Sequence, residues 1–173
     1  MSPFSSLSPE KTPFLIEEGY QPGCIGWVVG MHGRVYVGEQ QWNARFEQIV
    51  GRELITFFEQ YDAAKDRFWM LSVRDAFAAS ITIVGESDTL ARIRFFVADP
   101  KVVGQGFGHA LLDQAMQYCA MEQKDVYLTT VKGLDAARHL YEQAGFRLMS
   151  EHEDRSWGSV QIEQRWELKH ARE

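Results

Sequence analysis

Residues 97–119 read VADPKVVGQGFGHALLDQAMQYC, and this stretch decides the fold. It opens on the end of a strand. Ala91 to Val97 (ARIRFFV) is apolar and aromatic, and Asp99-Pro100 stops it because proline has no N–H to give a sheet ladder. Gly104, Gly106 and Gly108 follow at alternate positions. Phe107, Ala110, Leu111, Ala115, Tyr118 and Cys119 then mark one apolar face at helical spacing. Strand, glycine loop and helix in this order set unpaired N–H groups and a positive dipole end beside backbone that a ligand can approach closely. That is an anion cradle suited to a phosphate or pyrophosphate, with a plain structural turn as the alternative. Two nucleotide loops fail. His109-Ala110 stands where a Walker loop needs Lys-Ser or Lys-Thr, and glycines spaced two and two are not G-x-G-x-x-G.

Downstream, Asp125 to Thr130 (DVYLTT) is a strand separated from its predecessor by a helix-length crossover, so the two run parallel. A second helix covers about Leu134 to Ala144 and ends at Gly145, a left-handed cap position. Arg147 to Ser150 and Gln161 to Leu168 read as final strands. Upstream, Arg67 to Val73 and Ala78 to Val84 flank a hairpin turn at 74–77. Phe46, Ile49, Val50, Leu54, Phe57, Phe58 and Tyr61 form a helical stripe, with Asn43 as its N-cap. Gly26 to Val29 and Val35 to Val37 read as short extended pieces around a turn at Met31 to Arg34. Residues 1–18, rich in Ser and Pro, are a tail or lead-in; the domain takes 19–173, its structured part running from Gly19 to about Leu168. The expected class is α+β, a single domain with a mixed central sheet and helices on its faces.

Composition narrows the function. The 173 residues fit one domain, and the aromatic share of 13% is ample for a packed core. A hydrophobic share of 45% argues against disorder, and no run of eighteen apolar residues offers a membrane span. MSPFSSLSPEKTPF has neither the basic start nor the apolar stretch of a secretory signal. Cys24 and Cys119 match neither a metal pair nor a disulfide framework, so a reduced, cytoplasmic chain is expected. Eighteen basic against twenty-four acidic residues give a net charge of −6, which argues against a duplex-DNA binder with its concentrated basic face, and no nucleic-acid partner is expected. His32, His109 and His139 are not spaced as ligands on one helix, so no metal site is expected; His32 reads as an exposed turn residue or a proton relay.

The quoted stretch resembles motif A of the GNAT acetyltransferase superfamily. AARHLYEQAGFRL resembles its motif B, ending in Tyr-Glu-x-x-Gly-Phe. QPGCIGWVVGMHGRVYVGEQQW and the closing QRWEL are similar to acetyltransferase domains found fused behind MarR-type regulators. The resemblance implies a GNAT-like fold in which the strand before the loop splays from its parallel neighbour. It implies acetyl-CoA as acyl donor, bound through the backbone of Phe96, Val97 and Ala98 and through the loop amides of Gly104, Gln105, Gly106, Phe107, Gly108 and His109. The motif tyrosine falls on Tyr141, which in that superfamily protonates the departing thiolate. The sequence departs from the pattern at Val103, where Gln or Arg is usual, at Leu134, where Asn is common, and at Thr129, where some relatives carry a catalytic Glu. Glu39 is the candidate general base, against a reading as a solvated carboxylate. Trp27 and Trp42 are candidates for the acceptor pocket, and Cys24 reads as partly exposed. The expected activity is N-acetyl transfer from acetyl-CoA directly to a primary amine of a small molecule or peptide. A non-catalytic acyl-CoA-binding regulatory module is the alternative. Pairing through the final strands, common in that superfamily, makes a homodimer an expectation.

Overall fold

A computed structural model describes residues 12–170; residues 1–11 of the expected lead-in lie outside them. One sheet carries β1 (Phe14–Glu18), β2 (Arg67–Val73), β3 (Ala76–Gly85), β4 (Leu90–Ala98), β5 (Asp125–Val131), β6 (Arg147–Asp154) and β7 (Gln161–Leu168). Their order is β1-β2-β3-β4-β5-β7-β6, and only β4 and β5 run parallel. The sheet therefore begins at Phe14, inside the segment read as a lead-in, with β1 as an edge strand against β2.

The helices are α1 (Cys24–His32), which runs on into a π-helix (Gly33–Glu39), α2 (Arg45–Glu59), α3 (Phe107–Met121) and α4 (Asp135–Gln143). Helices α1 and α2 cover one face, packing Val28, Leu54 and Phe57 on Phe68, Met70 and Phe95. On the opposite face Leu111, Leu112 and Ala115 of α3, with Tyr141 of α4, pack on Ile81, Ile83 and Leu128. Each of the larger aliphatic and Phe side chains contributes about 1.5–3 kcal/mol on burial. Among the described residues no helix is long and apolar enough to cross a membrane.

The stretch expected as two extended pieces is helical from Cys24 to Glu39. Cys24, Val28, Met31 and His32 are buried at helical spacing, while Gly26 and Gly30 face out. Packing of that stripe on α2 and the sheet overrides the weak helix propensity of glycine and valine. Cys24, expected to be partly exposed, is fully buried. The N-cap reading of Asn43 is off by one residue in the helix start, yet its Oδ1 does accept from Arg45 N at 3.1 Å.

Two irregularities of β4 shape what lies between the layers. Ala91 and Ile93 point to the α3 side, and simple alternation would send Phe95 there too. Phe95 instead joins the α2-side core, and Phe96 and Ala98 return to the α3 side. A bulge makes the switch: Thr82 pairs with Arg94 but Ser80 with Val97, so β4 carries an extra residue there, and Phe95 takes φ +48°. That backbone costs a bulky residue about 1–3 kcal/mol, and the Ser80 hydroxyl holds it by donating to Phe95 O at 2.8 Å. The second irregularity is a parting of strands. β4 and β5 pair only at Leu90–Asp125, Ala91–Val126 and Arg92–Tyr127, after which both run on without meeting.

Candidate functional site

Beyond Arg92 the parted strands open into a cleft of about 300 Å³. Arg92 to Phe96 of β4 and Leu128 to Val131 of β5 form its sides. His32, Tyr36, Trp42 and Phe46 roof it from α1, the π-helix, the loop after it and the start of α2. Trp157, from the β6–β7 loop, completes the roof: its ring stacks on Trp42 at 5.9 Å and meets Phe46 edge-on at 5.1 Å. The loop is tied down by Asn43 N donating to Trp157 O at 2.9 Å. Tyr141 of α4 closes the cleft from the α3 side, its ring 6.3 Å from that of Phe96.

Two phenols therefore face one small space. Burial pushes Tyr141 far above the ordinary tyrosine range, and the nearby Tyr36 adds to the rise. Burial also raises Tyr36. Both stay protonated at neutral pH, and among the described residues neither hydroxyl is engaged in a hydrogen bond with another protein group. Tyr141 can thus hold a proton in a dry site for a group that acquires negative charge. His32, expected as an exposed turn residue in preference to a proton relay, is instead buried, and its Nδ1–H donates to Val28 O at 2.8 Å. Burial lowers its pKa to about 4, so the ring stays neutral and presents Nε2 as an acceptor only.

The glycine loop leads into α3, whose first turn packs beside Phe96 of the cleft. Gly104 and Gly106 take φ +85° and +86°, values that favour glycine, and Gly106 is the N-cap of α3 without any side-chain cap. The first ladder bond of α3 is Ala110 N to Gly106 O. Among the described residues the N–H groups of Gly106, Phe107, Gly108 and His109 have no acceptor, and a Cβ at Gly104 or Gly106 would meet nothing within 4 Å. Gly108 does the opposite work: a Cβ there would sit 3.4 Å from Leu140 Cδ2 and 3.9 Å from Phe96 Cζ, so α3, α4 and β4 converge on it. His109 Nε2 bonds Gln143 Oε1 at 2.6 Å, and Gln143 reaches His139 at 2.8 Å, tying the start of α3 to α4. His32 lies apart from this chain, and among the described residues no cluster of three His, Cys, Asp or Glu side chains could hold a metal ion.

Residues 104–109 lie outside the lining of the cleft, though Gly108 packs beside Phe96, and Val97 and Ala98 pair to β3 and to nothing on the β5 side; of the expected site residues, Phe96 and Tyr141 are brought to the cleft. Glu39 is not: it is exposed at the end of the π-helix and outside the lining of the cleft. Of the two tryptophans expected at the acceptor side, Trp42 lines the cleft and Trp27 packs on Phe77 instead. Trp157, like the other tryptophans a candidate for the acceptor pocket but a weaker one than Trp27 and Trp42, also lines the cleft. Tyr36, Phe46 and Arg92 were not legible as site residues; for Tyr36 the one available signal was its four-residue spacing from His32, on which its ring stacks at 5.9 Å. A second hollow, about 730 Å³ over α4 and β6, is lined by charges that answer one another, Lys132 with Glu151 and Arg138 with Glu142.

Residues 34–146 match the model of the Acetyltransferase (GNAT) family. The fold is similar to that of an acetyltransferase from Streptococcus agalactiae, with a TM-score of 0.73 at 18% identity over 91% of this chain and 98% of that one. It is similar to Ard1 from Thermoplasma volcanium, with a TM-score of 0.74 at 18% identity, covering 92% and 99% of the two chains. A third likeness is to yncA from Salmonella typhimurium, solved with its cofactor acetyl-CoA, with a TM-score of 0.73 at 12% identity over 92% and 95%. No curated protein matches the sequence.

Proposed function

The chain belongs to the acetyltransferase (GNAT) family, and from that premise we propose that it is an N-acetyltransferase moving an acetyl group from acetyl-CoA directly to a primary amine. One observation carries the reading: β4 parts from β5 at a cleft lined by a protonated Tyr141, and the uncapped start of α3 packs beside Phe96 on its flank. The donor fits the residues present. The free amides of Gly106 to His109, with Gly104 and Gln105 shaping the loop, would hold a pyrophosphate, and the unpaired edge of Phe96, Val97 and Ala98 would take an extended amide-bearing arm as a strand takes its neighbour. When bound, acetyl-CoA supplies an activated thioester.

The rest of the chemistry is the chain's own. The roof of Tyr36, Trp42, Phe46 and Trp157 excludes water and holds the apolar body of an acceptor. A backbone amide on the unpaired edge of β4 is the proposed donor to the developing oxyanion. Tyr141 gives its Oη proton to the leaving sulfur, whose negative charge the buried site would otherwise leave unanswered. For the proton of the attacking amine, the exposed place of Glu39 favours a water-borne path. Glu39→Gln is accordingly expected to leave turnover unchanged, and a large loss would return the base role to Glu39. Free, buried Cys24 and Cys119 suit the reduced, cytoplasmic setting proposed for the enzyme.

The test is calorimetric titration with acetyl-CoA followed by a CoA-release assay on an amine panel. Tyr141→Phe is expected to lower kcat by about 10²-fold, the low end for a general acid, with acetyl-CoA affinity unchanged. Absence of binding would end the acetyl-CoA reading. Binding without CoA release from any amine would favour the non-catalytic module, which the departures at Val103 and Thr129 motivate.

A further inference from the structure

Two cations of β4 line the cleft, and they differ in what answers their charge. Arg94 is paired with Glu53 of α2. Arg92 has no carboxylate at ion-pair distance among the described residues: its Nη2 donates to the neutral Thr129 Oγ1 at 3.3 Å, and its guanidinium lies 5.6 Å from the Tyr127 ring centroid. Its Nε is buried and has no acceptor. The carboxylates that share the cleft are engaged elsewhere, Glu53 with Arg94 and Glu163 at 3.4 Å from His152. Arg92 is also the last residue of β4 to pair with β5, so its guanidinium stands at the vertex of the opening, on the side roofed by aromatic rings.

We infer that Arg92 receives a carboxylate of the acceptor, and that the acceptor is a small amine carrying its own carboxylate, a free amino acid in its simplest form. The inference rests on the N-acetyltransferase reading above. A guanidinium held by one neutral hydroxyl, with part of its donor edge already desolvated, gains more from an anion than from any neutral group, and its planar fork matches a carboxylate. The same charge rejects a competitor. A polyamine or other polycation would bring a second positive group to an unanswered cation, a penalty that a monoamine with a carboxylate avoids. The aromatic roof supplies contact for an apolar side chain without adding charge.

The experiment compares each amino acid with its own α-amide as acceptor, so that the amine and side chain stay fixed and only the carboxylate is removed. The wild-type protein is expected to use the best acid with kcat/KM at least about tenfold above its amide, the scale of a lost charge-assisted contact. Arg92→Gln is expected to collapse that ratio through the KM of the acid, and Arg92→Lys, which keeps the charge and loses the fork, to leave a reduced preference. Acetyl-CoA affinity of each variant reads out whether the fold is intact. Equal use of acid and amide by the wild type, or a ratio that survives in Arg92→Gln, overturns the inference. So does acetyl-CoA binding with acetylation of carboxylate-free amines alone, or of none; these outcomes leave donor binding standing, whereas failure to bind acetyl-CoA removes the parent reading itself.

Discussion

His32 shows how one buried ring ties stability to pH. Its folded pKa, about 4, lies below the ordinary 6.5. Between those values the unfolded chain binds the proton and the folded chain does not, so stability rises with pH across that window. The contribution is complete above pH 6.5 and is lost progressively as the pH falls to about 4. Denaturant titrations at pH 6.5 and 5 are expected to differ by about 2 kcal/mol more for the wild type than for His32→Gln, at 1.36 kcal/mol per unit. Equal slopes in both proteins would mean that the ring titrates normally. Nothing in GMHGR announced that this ring would be buried, because its burial depends on Phe46 and Phe95, whose rings meet it only after distant segments fold together. Tyr141 was legible for the opposite reason: its neighbours in sequence, Leu140 to Phe146, carry the motif that marks it.

At the level of elements, α3 and its loop were open to reading because each step leaves a trace in residue type. Proline ends the strand, glycines make the loop and a regular apolar face makes the helix. Gly106→Ala tests that chain of cause. The substitution forces an L side chain into φ +86° at a cost of about 1–2 kcal/mol, yet its Cβ would meet nothing within 4 Å, so the loss is strain without collision. Weaker acetyl-CoA binding with a modest fall in Tm is the expected result; an unchanged affinity would separate the loop from donor binding. Helix α1 left a weaker trace, since Gly26, Gly30 and the valines argue locally for an extended chain. The bulge at Phe95 left none. ARIR alternates and FFV is a plain apolar run that no bulge is needed to explain, and the φ of +48° arises only when β4 is held against β3 by Ser80. β1 escaped notice because FLIEE is short and gains its order from β2.

Across the whole molecule, the cleft is assembled from segments far apart in the chain. Trp157 reaches back more than a hundred residues to Trp42 and Phe46 and closes the roof. Trp157→Ala is expected to cost about 1–2 kcal/mol, below the 3–5 of a fully buried ring, and to raise the KM for the amine severalfold while the KM for acetyl-CoA holds. A matching rise in both constants would mean that the loop supports the sheet rather than the acceptor.

The sheet itself is two half-sheets, β1 to β4 and β5 to β7, and their strands meet along a seam of only three residue pairs. A molecule wedged into the open part of that seam binds the assembled protein and not the unfolded chain, so it acts as mortar between the halves. By mass action, acetyl-CoA at a hundred times its Kd would add about 2.7 kcal/mol, visible as a Tm that climbs with donor concentration. The lifetime of the folded protein then becomes a gauge of how much activated acetyl is at hand.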